Sequence, residues 1–217
     1  QWTMDDVESV GLLKIDFLGI RYLTMVSSIV EEIRKENPTF DITKINYQDP
    51  KVYELFAKGK TEGIFQFESS GMKEKLNLLK PTEFNDIVAM NALYRPGPMA
   101  QIEVYVRRKN KEEQVVYPHP HLEKILKDTY GVIVYQEQIM LIAVNFAHMS
   151  LNEADNMRRA VSKKKKEDLE YYGRIFIEKS VAAGYDIKVA EKLFDLIVTF
   201  ANYGFNKSHA VVYSMLA

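Results

Sequence analysis

ADNMRRAVSKKKKED, residues Ala154–Asp168, decides how this chain is read. Ala154, Met157 and Val161 recur at helical spacing and form an apolar stripe, which turns Arg158, Arg159 and Ser162 away from the core. Asp155 stands four residues before Arg159, a spacing that suits a weak surface ion pair. Six basic residues fall within the nine positions from Arg158 to Lys166. The whole chain, by contrast, balances 29 Lys plus Arg against 30 Asp plus Glu, for a formal net charge of -1. A lysine run alone reads most simply as a solvated face. Here an arginine pair precedes it by one turn, so forked and point-like cations project together, as a triphosphate or a nucleic-acid backbone requires.

Helical periodicity extends outward from this segment. Ser150 and Glu153 have the spacing of a capping box ahead of it, and a helix over Gln136–His148 follows the apolar run "VIVY". Downstream, two longer helices split at Gly184, and the glycine turn "NYGFNKSH" precedes a last helix. Upstream, Thr82 is placed to cap a helix carrying Phe84, Ile87, Val88 and Met90, which "YRPGPM" breaks before another helix around Ile102–Lys109. Ser69 or Ser70 caps a helix that stops ahead of Pro81, and Tyr22–Glu36 is helical up to Asn37-Pro38. Two short strands are expected: "GLLKIDFLG", where Lys14 and Asp16 alternate with Leu13, Ile15 and Phe17, and "GIFQF", Gly63–Phe67. The expected class is mostly α with a small β element near the start (α+β).

Composition narrows the possibilities. At 217 residues, 47% hydrophobic and 27% charged, the chain reads as globular, one large domain or parts of two. No apolar run approaches the ~18 residues of a membrane span, and no signal segment opens the chain. Absence of Cys removes disulfides and thiolate metal sites and is compatible with a reducing cytoplasm. Gln1 at the start, and an apolar helical run "VVYSMLA" at the end, read as a piece of a longer protein.

Other residues invite chemistry. Asp16 is unusual in a strand, between Ile15 and Phe17; it either faces solvent on an edge or is kept as a metal ligand, and a two-metal site would need further carboxylates. In "NYGFNKSHA" Gly204 allows a tight turn, after which Asn206, Lys207, Ser208 and His209 open a helix whose amides can meet an anion or simply be capped. "FESSGM" offers a weaker version of the same turn. "KGKTEG" has Glu54 where a P-loop needs its first glycine, so a Walker site is rejected. His119 and His121 flank a proline without Cys or paired carboxylates nearby, which argues against a metal. Neither H-E-x-x-H nor G-x-S-x-G is present.

Six strings, taken together and in order, are specific: "GLLKIDFLGIRYLT", "GIFQFESSGMKEKL", "VAMNALYRPGPM", "YGVIVYQEQIM", "MRRAVSKKK" and "FANYGFNKSHAVVY". The chain resembles the polymerase core of the bacterial C-family replicative DNA polymerases, the DNA polymerase III alpha-subunit family, over nearly its whole length. The likeness is weakest across 36–60 and 109–122. It implies that residues 1–20 are the C-terminal part of the palm, with one catalytic strand, and that 21–217 are mostly helical fingers, truncated at the C-terminus. It also implies that Asp16 is the third catalytic aspartate and a Mg²⁺ ligand, with its two partner aspartates outside this segment. Arg158, Arg159, Lys163, Lys164 and Lys165 correspond to the triphosphate-binding helix. The resemblance further implies that Ser69, Ser70 and Gly71 approach the phosphates from the palm side and that Arg95 lies at the pocket. It implies too that Asn206, Lys207, Ser208 and His209 lie near sugar and base, with His209 the candidate for excluding ribonucleotides.

The implied reaction is nucleotidyl transfer from a dNTP to a primer 3′ hydroxyl with two Mg²⁺ ions, in the bacterial cytoplasm. The implied partners are primer-template DNA, a sliding clamp and other replisome subunits, and no membrane; the segment alone is expected to be inactive. After "DFLG" the chain continues "IRYLT" and not the "HDDPT"-like string of the long Gram-positive form, so it is more similar to the shorter type. Ser162 stands where many relatives have glycine. A helical nucleic-acid-binding module without chemistry is the alternative from another class, and an interaction domain with merely solvated charges is the blandest reading.

Overall fold

The computed structural model describes residues 2–15, 19–163, 166–201 and 203–217, which fall into two compact units, Gln1–Ile45 and Asn46–Ala217. In the first unit, α1 (Met4–Ser9) is capped by the Thr3 hydroxyl, which accepts from the Asp6 amide at 3.3 Å. α2 (Arg21–Glu36) ends where Asn37 precedes Pro38, with Arg34 and Lys35 in its last turn, where cations complement the helix dipole. Arg34 Nε donates to the Phe40 carbonyl at 3.0 Å and folds the following segment back. Leu23, Met25, Ile29 and Ile33 of α2 are exposed.

The second unit holds two apolar cores. The first gathers α3 (Pro50–Ala57), α4 (Ser70–Leu79), α5 (Phe84–Leu93) and α6 (Gln101–Lys109) around Leu76, Leu79, Met90 and Tyr105. Asp86 is fully buried beneath them. Its carboxylate accepts from the Thr82 amide at 2.8 Å and from the Glu83 amide at 3.3 Å, with Lys109 Nζ at 3.4 Å, so charge and lone pairs are compensated. The second core follows the one-turn α7 (Glu123–Leu126) and joins α8 (Gln136–Ala147), α9 (Leu151–Lys163), α10 (Lys166–Ala182) and α11 (Ile187–Ala201) around Phe146, Met157, Phe176 and Ile197. α12 (Lys207–Leu216) packs along α5, where Asn91 Nδ2 donates to Ser214 Oγ at 3.3 Å.

The segment "VIVY" runs extended between the cores. Val132 and Val134 enter the first and Ile133 the second, the period-two alternation of an extended chain buried on both faces. It pairs with the glycine turn through a single parallel bridge, Tyr135 to Phe205. The Phe205 amide donates to the Val134 carbonyl, and the Gln136 amide to the Phe205 carbonyl, both at 3.0 Å.

The expected helices are present, and the expected small β element is not found among the described residues. Gly63–Phe67 is a pair of tight turns and not a strand: Gly63 and Gln66 have φ of 71° and 65°, and the buried Thr61 hydroxyl donates to the Phe67 carbonyl at 2.6 Å. Residues 12–15 of the first expected strand are irregular, and Asp16 lies outside the described residues. The expected cap Thr82 gives way to Glu83, because Thr82 is itself bound to Asp86.

Candidate functional site

The basic helix is anchored at its N-terminal end. At its start the Ser150 amide donates to Glu153 Oε2 at 2.7 Å and the Glu153 amide to Ser150 Oγ at 3.2 Å, completing the expected capping box. Lys179 of α10 reaches the same carboxylate at 2.8 Å. Its hydrogen bond, with those from Ser150, pulls the Glu153 pKa down to about 2. Further along, Ala154, Met157 and Val161 are buried as the spacing requires, and the Ser162 hydroxyl donates back to the Arg158 carbonyl at 2.8 Å.

Arg158 is a held cation. Its Nε and Nη2 donate to Asp155 Oδ1 at 3.0 and 2.7 Å, and Nη1 donates to Gln136 Oε1 at 3.2 Å. Arg159 reaches the other oxygen of the same carboxylate, Nη2 to Oδ2 at 2.8 Å, while its side chain stays 63% exposed. These arginines hold the Asp155 carboxyl below the usual carboxylate range, the Arg158 hydrogen bond first.

Gln136 links this helix to the glycine turn. Its Cγ lies 3.2 Å from where a Cβ on Gly204 would stand. Beside it, α12 opens with Asn206, whose Oδ1 accepts from the His209 amide at 2.8 Å. The Lys207 amide donates to both oxygens of Glu137, at 3.1 and 3.0 Å. Two of the amides expected to be open to an anion are therefore satisfied by the protein. Lys207 Nζ stands 5.3 Å from the Tyr135 ring centroid, and the exposed His209 ring stacks on Tyr213 at 4.2 Å and meets Phe205 edge-on at 5.2 Å.

Arg95 supports the same turn from behind. Its Nε donates to the Ala92 carbonyl at 2.9 Å and Nη2 to the Tyr203 carbonyl at 2.8 Å, with the guanidinium carbon 4.3 Å from the Phe205 ring centroid. Burial lowers its pKa from the ordinary value. Gly97 two residues on has φ of 102°, and a Cβ there would meet Tyr203 Cε1 at 2.3 Å. Ser69 caps α4 by accepting from the Met72 amide at 3.3 Å, Ser70 is the first residue of that helix, and Gly71 accommodates the Tyr94 hydroxyl, 2.2 Å from a virtual Cβ.

Arg158 thus meets the start of α8 through Gln136, which lies against the glycine turn that opens α12, with Arg159 on the shared Asp155 carboxylate and Arg95 bonded to the turn. Ser69–Gly71 connect to that cluster through Tyr94, the neighbour of Arg95. Lys163 closes α9, and Lys164 and Lys165, like Asp16, lie outside the described residues. Among the described residues no group of three or more His, Asp or Glu is disposed to hold a metal ion. Gln136 and Glu137 escaped the sequence reading; two polar residues directly after the apolar "VIVY" were the available signal.

Fold and site define a helical domain that presents paired arginines beside two helix starts. Residues 22–184 match the family described as bacterial DNA polymerase III alpha subunit finger domain, and the chain belongs to that family. It is 55% identical over 217 residues to the DNA polymerase III subunit alpha of Bacillus subtilis (strain 168). It is 53% identical over 218 residues to the same subunit of Halalkalibacterium halodurans, and 51% identical over 218 to that of Staphylococcus aureus (strain COL). Each match covers 100% of this chain and 20% of the relative, so the chain spans about a fifth of the curated relatives' length.

Proposed function

We propose that the chain is the fingers of a replicative DNA-directed DNA polymerase, preceded by the last part of the palm at residues 1–20. The family match and the identity over the whole chain support this reading. The observation that carries the site is the arginine pair, held by one carboxylate on a chain of formal net charge -1 and linked through Gln136 to the glycine turn that precedes α12. An incoming dNTP brings about four negative charges. Arg159, the more exposed of the pair, grips its phosphates bidentately, Arg158 holds a fixed positive charge beside it, and Lys163–Lys165 add point charge. When the primer 3′ hydroxyl attacks the α-phosphate, negative charge grows on the departing pyrophosphate, and these cations stabilise it.

Arg95 at the pocket holds the turn, with Nε and Nη2 donating to two backbone carbonyls. His209 presents an exposed ring at the same turn and is assigned to the sugar. Asp16, with aspartates outside this segment, is assigned to divalent metal, which when bound supplies charge neutralisation and activation of the attacking hydroxyl. Primer-template DNA, a sliding clamp and other replisome subunits are the proposed partners, in the bacterial cytoplasm. No helix among the described residues is long and apolar enough to cross a membrane.

Arg158→Ala in the full-length polymerase tests the assignment. Losing a fixed cation beside the phosphates is expected to raise the KM for dNTP by roughly tenfold to a hundredfold. A non-catalytic nucleic-acid module predicts instead a loss of DNA affinity with a steep salt slope and unchanged dNTP kinetics.

A further inference from the structure

The two arginines are already occupied. Asp155 lies one helical turn before them, and its two oxygens divide between the two guanidinium groups, Oδ1 to Arg158 and Oδ2 to Arg159, at 2.7 and 2.8 Å. A carboxylate offers a guanidinium the same paired acceptors as two oxygens of a phosphate. We propose that Asp155 is an internal counter-anion: it fills the guanidinium edges that phosphate takes, and yields Arg159 when nucleotide enters, which keeps the affinity for triphosphate and pyrophosphate low enough for turnover. This deepens the function proposed above and rests on that reading of the site.

Exposure and connectivity favour a partial handover. Arg158 is 20% exposed and anchored a second time by Gln136, so it keeps its place whether or not Asp155 holds it. Arg159 is 63% exposed and its guanidinium reaches the chain through Asp155, so an arriving phosphate competes for it from solvent. Glu153, the next acid on this helix, is engaged by Lys179 and capping Ser150, and does not substitute. Adjacent arginines repel when empty, and a carboxylate between them removes that cost. The same charge opposes phosphates a few ångströms away, and its opposition is screened by salt. If Asp155 served only to orient the arginines, its removal would weaken anion binding; as a counter-anion, its removal strengthens it. The sign of the effect separates the two.

The test is product inhibition by inorganic pyrophosphate in the full-length polymerase, with KM for dNTP measured alongside. Asp155→Asn is expected to tighten pyrophosphate inhibition about threefold to fivefold at low salt, the range of an exposed ion pair. The gain should fall below about twofold in 0.5 M salt, where the Debye length is only a few ångströms. Asp155→Glu restores the carboxylate and is expected to return near-parental inhibition. Asp155→Gln, a better helix former, is expected to repeat the Asn result, so an unstable variant does not decide the outcome. Unchanged or weaker inhibition in both amide variants, with Arg158→Ala weakening pyrophosphate, overturns the counter-anion and leaves the site standing. If Arg158→Ala changes neither pyrophosphate nor dNTP, the site reading fails and the counter-anion falls with it.

Discussion

Arg95 shows how a residue's surroundings decide its work. Its sequence neighbours, two prolines around a glycine, gave no indication of where the guanidinium would point. The structure directs it to the Ala92 and Tyr203 carbonyls and lays it over Phe205. Gly97 matters for the same turn. With φ of 102° and Tyr203 Cε1 2.3 Å from a virtual Cβ, a side chain there is strained by backbone and neighbour together. Gly97→Ala is expected to destabilise the fold by about 1–3 kcal/mol, read as a lower urea midpoint with unchanged slope; an unaltered midpoint would contradict the turn's geometry.

At the scale of elements, the periodic helices were legible because their apolar faces repeat every three to four residues, and Ala154, Met157 and Val161 are buried as that repeat requires. Gly63–Phe67 was misread because Ile64 and Phe67 are apolar on both sides of Gln66, while the left-handed φ at Gln66 and the Thr61 hydroxyl bond are invisible in a pattern of hydrophobicity. The α9 capping box was legible, but Lys179 was not, since it comes from another helix. The Glu153 carboxyl has its folded pKa pulled to about 2, below its ordinary 4.5. Its contribution is therefore complete above the ordinary value and is lost as pH falls through the folded one. Glu153→Gln is expected to cost about 1 kcal/mol at pH 7, the worth of a cap, with the difference from the parent vanishing toward pH 2 in denaturant titrations. A difference independent of pH would exclude the carboxylate as its source.

For the whole molecule, the two units differ in what they reveal. Gln1–Ile45 exposes Leu12, Leu13 and Ile15, directly ahead of Asp16 in sequence, and the proposed metal role rests there on resemblance. Asn46–Ala217 carries the geometry proposed to bind the anion. That geometry was half legible: the arginine pair and the "NKSH" turn each stood out as strings, but their meeting depends on the bridge between Tyr135 and Phe205 and on the Glu137 bond to the Lys207 amide, 70 residues away. No local pattern encodes a pairing over that distance.

The central claim is that Arg158 and Arg159, linked through Gln136 to the turn that opens α12, form one phosphate grip. Backbone and arginine side-chain NMR shifts of the 217-residue chain, followed while inorganic triphosphate is added at low salt, test it most directly. The account predicts saturable shifts concentrated at Arg158, Arg159, Gln136 and Asn206–His209. Shifts spread over surface lysines such as Lys35, Lys58 and Lys111, with the arginine pair silent, would contradict it.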